Sequence, residues 1–196
     1  MGKRLKNLTS EIPKCLIKVN KTPLIERMLK QLDKLKLTRI IIVTGFKSKI
    51  LVDFINKLNI KTKIIFIENK EYEKTNNIYS LYLAKKYLKE ENTLLLESDL
   101  IFEDSILKTI IKNPEKNLVM VSKFESWMNG TVVKLGNDNN ISSFLSKEDL
   151  ILKKKINTIK QLIFINSVRN FLPKPIFRFL KHIVKHRESM NITNKY

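Results

Sequence analysis

Three residues near the start of the chain have the chemistry to hold a triphosphate. Gly2 lets the backbone approach a ligand closely, so that successive N–H groups can bind phosphate oxygens. Arg4 and Lys14 add fixed positive charge to the same segment. The alternative, which composition alone favours, is a frayed basic N-terminus that binds nothing. The pattern makes this segment a candidate phosphate-binding loop, with Arg4 and Lys14 as its candidate catalytic cations.

An aspartate close after an apolar run is the candidate metal ligand. The run 93–97 has the composition of a buried strand, and Ser98 and Asp99 follow it directly. Ligands of open α/β sheets lie beyond the carboxyl ends of the strands, and a carboxylate there can hold Mg²⁺ against a phosphate. The alternative is an aspartate that only stabilises a turn. We interpret Asp99 as the metal ligand.

Helices and strands alternate along the first two-thirds of the chain, and they must position these side chains. Apolar residues at helical spacing after Pro23 predict a helix, and the short apolar run before Gly45 predicts a buried parallel strand. The same patterns predict helices over 23–37, 49–58, 77–88 and 105–111, and strands over 39–45, 64–67, 93–97 and 118–121. This spacing implies right-handed crossovers and an α/β three-layer sandwich.

The last third of the chain changes to an antiparallel pattern. Residues 131–135 and 141–145 predict a small hairpin, and a further strand is expected over 156–165. The basic stretch 171–185 predicts a surface helix with its apolar side on the sheet, the alternative being a helix on a membrane surface. No repeat or linker interrupts the sequence, so we expect a single domain over 1–196.

The composition is that of a globular protein with a basic surplus. Lys and Arg number 38 against 19 Asp and Glu, which gives a net charge of +19. The surplus is mostly scattered lysine and the aromatic residues lie in apolar runs, so we attribute it to composition bias and expect no nucleic-acid partner. No apolar stretch approaches the ~20 residues of a membrane span, and no signal-peptide core is present, so we expect a cytoplasmic protein. The lone Cys15 excludes an internal disulfide, and we interpret it as a small buried residue.

The N-terminal series resembles a known family of enzymes, the sugar-phosphate and choline-phosphate nucleotidyltransferases. The residues that carry the resemblance are Gly2, Arg4, Leu5, Thr9, Pro13, Lys14, Pro23, Leu24, Ile25, Glu26, Thr44 and Gly45. The resemblance implies a Rossmann-like (GT-A-like) mixed sheet with a small antiparallel hairpin insertion. It also implies that Asp99 is the family's metal-binding aspartate at a strand end.

A second segment narrows the resemblance to one branch. Residues 75–81, Thr-Asn-Asn-Ile-Tyr-Ser-Leu, are similar to a segment of the bacterial choline-phosphate and 2-aminoethylphosphonate cytidylyltransferases. By this resemblance Asn76, Asn77 and Ser80 are candidates for binding the nucleotide through its base, the alternative being contact with the acceptor. The alternative for Asn76 or Asn77 is a helix cap, in which the side chain accepts a backbone N–H.

A third segment concerns the acceptor. Lys123 and the run 127–133, Trp-Met-Asn-Gly-Thr-Val-Val, resemble the same branch. The resemblance implies that Lys123 contacts the phosphate group of the acceptor. It also implies that Trp127 offers its ring to a cationic amine, an attraction worth roughly 0.5–2 kcal/mol. The alternative for Trp127 is packing as an apolar loop residue.

The reaction that the resemblance implies is nucleotidyl transfer with Mg²⁺ as cofactor. A phosphate or phosphonate oxygen attacks the α-phosphorus of a nucleoside triphosphate, and pyrophosphate leaves. CTP is the expected donor, and phosphocholine or 2-aminoethylphosphonate the expected acceptor, within a pathway of cell-surface decoration. The alternatives are a sugar-1-phosphate or inositol-phosphate nucleotidyltransferase, and an inactive nucleotide-binding protein of the same fold.

The chain departs from the family's pattern at both ends. The resemblance is strongest over 2–150, and the family's first strand and first glycine are missing before Gly2. A late acidic residue that helps to hold the family's metal has no convincing counterpart before Tyr196. We therefore expect a partial chain or a misplaced start codon.

Overall fold

A computed structural model describes residues 10–115, 117–124, 132–145 and 159–168. Its helices are α1 (Leu24–Asp33), α2 (Ser48–Asn56), α3 (Asn77–Leu83), α4 (Lys85–Glu90) and α5 (Asp104–Lys112). Its strands are β1 (Lys18–Val19), β2 (Thr22–Pro23), β3 (Ile40–Thr44), β4 (Ile64–Glu68), β5 (Thr93–Leu96), β6 (Asn117–Lys123), β7 (Val132–Leu135), β8 (Ile141–Leu145) and β9 (Ile159–Val168). The chain divides into two compact units, and the first contains β1 to β4 and all five of these helices.

The centre of the first unit is the parallel pair β3 and β4. Their register runs from Ile40 opposite Ile64 to Thr44 opposite Glu68. Both strands are runs of β-branched and aromatic residues, which favour a pleated, packed surface. Because the strands are parallel, the segments that leave their carboxyl ends begin at the same edge of the sheet.

Helix α1 packs through one apolar face, as its spacing predicts. The residues on that face are all buried: Leu24, Ile25, Met28, Leu29 and Leu32. At the C-terminal end of α1, the Asp33 carboxylate accepts hydrogen bonds from the Lys61 amide at 3.1 Å and the Thr62 amide at 2.7 Å. The Thr62 hydroxyl also donates to this carboxylate at 2.7 Å, and it is the largest cause of a lowered pKa of Asp33, followed by the two amides. They fix the end of α1 beside the segment that enters β4.

Two helices differ from the sequence prediction. The helix predicted to reach Leu37 ends at Asp33, and Lys36 adopts a left-handed φ of 54°. The helix predicted over 77–88 is broken at Ala84, whose φ and ψ are −82° and 2°. No proline or glycine marks this break, and alanine is itself a good helix former. The residue types therefore do not predict it. The predicted strands of this unit are confirmed.

A small hairpin that the sequence analysis missed precedes α1. Strands β1 and β2 pair antiparallel across Asn20 and Lys21, which have φ values of 50° and 66°. Two consecutive left-handed residues are the requirement of a type I′ hairpin turn. Lysine is unusual in that conformation, which explains why the turn was not predicted.

The second unit is an antiparallel sheet. Its strand order is β5-β9-β7-β8, and β6 also pairs with β9. The predicted hairpin is confirmed as β7 and β8, and Val132 and Val133 of β7 are buried. The strand predicted over 156–165 is confirmed as β9. The helix predicted over 171–185 lies outside the described residues, and the assignment of one domain over 1–196 stays a prediction.

Candidate functional site

Lys14 is presented by a short 3₁₀ turn, Lys14–Leu16. The Pro13 carbonyl accepts the Leu16 amide at 2.9 Å, and the Lys14 carbonyl accepts the Ile17 amide at 3.1 Å. Cys15 and Leu16 are buried, whereas the Lys14 side chain is 47% exposed. The two buried side chains anchor the turn, and the Lys14 side chain stays partly exposed.

The structure brings Lys14 and Asp99 together. The Lys14 ammonium group forms an ion pair with the Asp99 carboxylate, whose side chain is 25% exposed. Asp99 lies in the turn that follows β5, as the strand-end pattern predicts. The candidate phosphate-binding cation therefore rests against the candidate metal ligand, an arrangement that the sequence analysis did not predict.

The Cys15 thiol, which lies beside this ion pair, has low reactivity. The Ser98 side chain hydrogen-bonds to Cys15, a residue that is 4% exposed. Burial raises the pKa of Cys15 to about 11, because desolvation disfavours the thiolate. The interpretation of Cys15 as a small buried residue is confirmed.

We expect Cys15 to resist alkylation while the chain is folded. A pKa raised from 9.0 to about 11 leaves roughly a hundredfold less thiolate at pH 8, and burial restricts access further. Iodoacetamide should therefore label the folded chain more than about a hundredfold more slowly than the chain unfolded in guanidinium. Equal rates in the two states would contradict the placement of Cys15 in the core.

The first turn of α3 contains the predicted nucleotide-binding residues. Asn76 is the N-cap of α3, and its side-chain oxygen accepts the Ile78 amide at 3.1 Å. Asn77 begins the helix and is exposed. The Ser80 hydroxyl accepts a hydrogen bond from the Asn69 side chain at 3.3 Å. The capping alternative is thus confirmed for Asn76, and nucleotide binding by this turn stays a prediction.

Tyr72 lies directly against Gly45, at the carboxyl end of β3. A Cβ at position 45 would lie 2.7 Å from the Tyr72 Cβ and 3.0 Å from its Cγ. The Tyr72 ring also makes an edge contact with Phe46, with ring centroids 6.3 Å apart. Glycine at position 45 therefore allows the segment after β4 to pack on the end of β3.

Substituting Gly45 by alanine should destabilise the chain. The Tyr72 Cβ is fixed to its backbone, so the new methyl group must displace the segment that carries Tyr72. Such overpacking costs roughly 1–3 kcal/mol. Urea unfolding measures the change in free energy. Gly136→Ala is the matched control, because its Cβ would meet no atom closer than the end of the Asp138 side chain at 3.0 Å, and the nearest backbone atom is the Asn140 carbonyl oxygen at 3.8 Å. Equal stability of the two variants would contradict the close packing at Gly45.

The remaining predicted residues lie elsewhere. Gly2, Arg4 and Trp127 lie outside the described residues. Lys123 is the exposed last residue of β6, in the second unit. Within the described part of the chain, no three His, Cys, Asp or Glu side chains gather as a metal cluster. No helix among those residues is both long enough and apolar enough to cross a membrane.

Comparison with other proteins identifies relatives of this chain. Residues 10–163 match a family described as a domain of unknown function, DUF6564. The bifunctional protein GlmU of Methanococcus aeolicus is 30% identical over 146 residues, 74% of this chain and 34% of that protein. The 2-aminoethylphosphonate cytidylyltransferase of Lancefieldella rimae is 35% identical over 104 residues, 53% of this chain and 41% of that protein. The chain spans less than half the length of these curated relatives.

Solved structures show the same fold. The CTP:phosphocholine cytidylyltransferase LicC from Streptococcus pneumoniae superposes with a TM-score of 0.65 at 22% identity, covering 100% of this chain and 77% of that chain. The inositol-1-phosphate CTP transferase from T. maritima gives a TM-score of 0.67 at 22% identity, covering 100% and 73%. These likenesses confirm the Rossmann-like mixed α/β class that the sequence predicts.

The resemblance to nucleotidyltransferases is also confirmed. The relatives include cytidylyltransferases, as the segment 75–81 led us to expect. The family match covers residues 10–163 of the 196 in the sequence. The chain therefore belongs to the DUF6564 family.

Proposed function

We propose that this chain belongs to an enzyme that transfers CMP from CTP to a phosphorylated or phosphonylated small molecule and releases pyrophosphate. Phosphocholine and 2-aminoethylphosphonate are the preferred acceptors, since enzymes named for them are among its relatives. The observation that carries the proposal is the ion pair between Lys14, the candidate triphosphate-binding cation, and Asp99, the candidate metal-binding carboxylate. A cation for the phosphates and a carboxylate for Mg²⁺ are recurring parts of sites that hold a nucleotide with Mg²⁺.

The donor set at Asp99 fits a magnesium ion that arrives with the nucleotide. Mg²⁺ is usually bound through one or two carboxylates together with substrate phosphates and waters, rather than by a cage of protein ligands. Asp99 supplies one partly exposed carboxylate, and no cluster of three ligand side chains exists among the described residues. When bound there, Mg²⁺ would neutralise charge on the transferring phosphoryl group.

In the proposal, the protein's own residues orient the nucleotide and neutralise the charge of its phosphates. In the proposal Lys14 leaves Asp99 for the β- and γ-phosphates, with Arg4 as a second cation and Gly2 supplying backbone N–H groups. Asn76, Asn77 and Ser80 contact the nucleotide at the start of α3. These interactions matter because phosphoryl transfer depends mainly on position and charge stabilisation.

The acceptor end of the reaction needs no general base. An acceptor phosphate or phosphonate oxygen, already ionised near neutral pH, attacks the α-phosphorus. A new oxygen–phosphorus bond forms, the bond from the α-phosphorus to the bridging oxygen breaks, and pyrophosphate takes that electron pair. In the proposal Lys123 contacts the acceptor's anionic group, and Trp127 faces its amine.

The second candidate is an inositol-phosphate or sugar-1-phosphate nucleotidyltransferase. It is favoured by the fold shared with the inositol-1-phosphate CTP transferase, which has the higher TM-score of the two described structures. The same Lys14 and Asp99 would serve it, because a nucleoside triphosphate is again the donor and pyrophosphate the leaving group. The two candidates differ in the class of acceptor.

Pyrophosphate release tests the proposal and separates the candidates. The chain is incubated with Mg²⁺, each of the four common nucleoside triphosphates, and phosphocholine, 2-aminoethylphosphonate, inositol-1-phosphate or glucose-1-phosphate. Release with CTP and an amine-bearing acceptor is expected. Release only with a polyol or sugar phosphate would replace the preferred acceptor class. Nucleotide binding without any release would favour the inactive binding protein.

A further inference from the structure

We propose that Asn69 is a positioning residue that holds the segment 71–80 in place at the carboxyl ends of β3 and β4. Asn69 follows β4 directly and is 3% exposed. Among the described residues, it and Thr44 are the buried polar ones. A buried carboxamide is costly unless its donors and acceptor are satisfied, so its partners show which structure it stabilises.

The side chain of Asn69 contacts the segment at three points. Its oxygen accepts the Glu71 amide at 3.0 Å, and its nitrogen donates to the Thr75 hydroxyl at 3.0 Å and the Ser80 hydroxyl at 3.3 Å. The Thr75 hydroxyl in turn donates to the Glu71 carbonyl at 2.7 Å. One buried side chain thus joins the start, the middle and the end of the segment.

The backbone of Asn69 is itself fixed to the sheet. Its amide donates to the Thr44 carbonyl at 2.8 Å, which extends the pairing of β3 and β4 by one hydrogen bond. The contact of Tyr72 with Gly45 adds a second anchor on β3. The segment is therefore attached to the parallel strands through both a hydrogen-bonded and a packed contact.

The segment ends in the first turn of α3, and α3 has little packing of its own. None of its residues is buried, in contrast to the apolar face of α1. The position of Asn76 and Asn77 therefore depends on the hydrogen bonds that precede them. The inference about function rests on the proposed function above, in which this turn contacts the nucleotide. Asn69 would then set where the nucleotide-binding side chains lie, without touching the nucleotide.

The first test is hydrogen exchange in the nucleotide-free chain. Lys74 and Thr75 donate their amides to the Glu71 carbonyl, and Tyr79 donates to the Asn76 carbonyl. In Asn69→Ala we expect these amides to exchange about tenfold faster, the factor given by losing one or two such hydrogen bonds. Thr75→Val keeps the shape of the side chain and should give a smaller change in the same amides.

Two substitutions provide matched controls. Asn113 accepts the Glu115 amide at 2.9 Å, as Asn69 accepts the Glu71 amide. Thr109 donates to the carbonyl of Ser105 at 2.9 Å, four residues back, as Thr75 donates to that of Glu71. Asn113→Ala and Thr109→Val remove the same kinds of bond elsewhere, and they should leave exchange in 71–80 unchanged.

The second test is the effect on CTP. We expect Asn69→Ala to raise the KM for CTP by about tenfold or more with a smaller change in kcat, because the binding side chains are displaced. A general loss of folded protein would lower the amount of active enzyme and leave KM unchanged. Thr75→Val should shift KM in the same direction.

The two tests fail in different ways. Unchanged exchange in 71–80 for both Asn69→Ala and Thr75→Val would overturn the positioning role, whatever the activity. Faster exchange with an unchanged KM for CTP would overturn the link from this segment to the nucleotide. Faster exchange in Asn69→Ala, together with a wild-type chain that binds no nucleotide, would leave the positioning role of Asn69 intact and reject the proposed function.

Discussion

Replacing Asp99 by asparagine is expected to lower Mg²⁺-dependent pyrophosphate release by about 10²–10³-fold, the usual effect of removing one group that stabilises charge in the transition state. Asparagine keeps the size of the side chain and removes the charge that would hold the cation. The Lys14 ammonium group also loses its partner in the nucleotide-free chain. Initial rates over a range of Mg²⁺ concentrations measure the effect, and titration with Mg²⁺ in the presence of CTP measures binding.

Asp104 provides the matched control for Asp99. It too is an aspartate paired with a lysine, Lys34, at 3.0 Å, and it begins α5. The Asp104 carboxylate also accepts a hydrogen bond from Gln31 at 2.7 Å, the largest cause that lowers the pKa of Asp104. Asp104→Asn should leave the Mg²⁺ dependence unchanged. An Asp99→Asn variant as active as Asp104→Asn would show that Asp99 only stabilises its turn.

Replacing Lys14 by glutamine is the second large effect that we expect. In the nucleotide-free chain the loss of folding stability is small, since an ion pair between partly exposed side chains contributes about 0–1 kcal/mol. With nucleotide, the charge that would neutralise the β- and γ-phosphates is gone, and we expect kcat/KM for CTP to fall by about 10²–10³-fold. Steady-state kinetics and urea unfolding of the same preparation separate the two effects.

Lys34→Gln is the control for Lys14→Gln, because it breaks the surface pair with Asp104. Both variants should unfold at nearly the same urea concentration as the parent chain, and only Lys14→Gln should lose activity. If the two variants lost activity equally, the effect would come from net charge rather than from a specific contact. Lys14→Arg should recover part of the rate, because it restores the charge with a different geometry.

The elements of the fold were largely predictable from local patterns. The apolar faces and runs that predicted α1, β3 and β5 depend only on residue spacing, and their burial follows from it. The break at Ala84 and the turn at Asn20 and Lys21 were not predictable, because alanine favours an unbroken helix and lysine rarely adopts a left-handed conformation. Local propensity therefore carried too little signal at either place.

The candidate site was predictable in its members but not in its contacts. Asp99 follows from the rule that ligands bind beyond strand ends, and Lys14 from charge and the resemblance. Their ion pair joins residues far apart in the sequence, so no spacing could have shown it. Asn69 carried a signal, a polar residue directly after β4, but its burial and its bonds to Thr75 and Ser80 appear only in the folded chain.

The transfer of labelled phosphorus from CTP tests the central claim most directly. The chain is incubated with Mg²⁺, 2-aminoethylphosphonate or phosphocholine, and CTP labelled in the α- or γ-phosphate, beside the Lancefieldella rimae cytidylyltransferase as a positive control. We predict that the α-label passes into a product that contains the acceptor and that the γ-label appears in pyrophosphate. Release of the γ-label as orthophosphate, or no labelled product with either acceptor while the control turns over, would contradict nucleotidyl transfer by this chain.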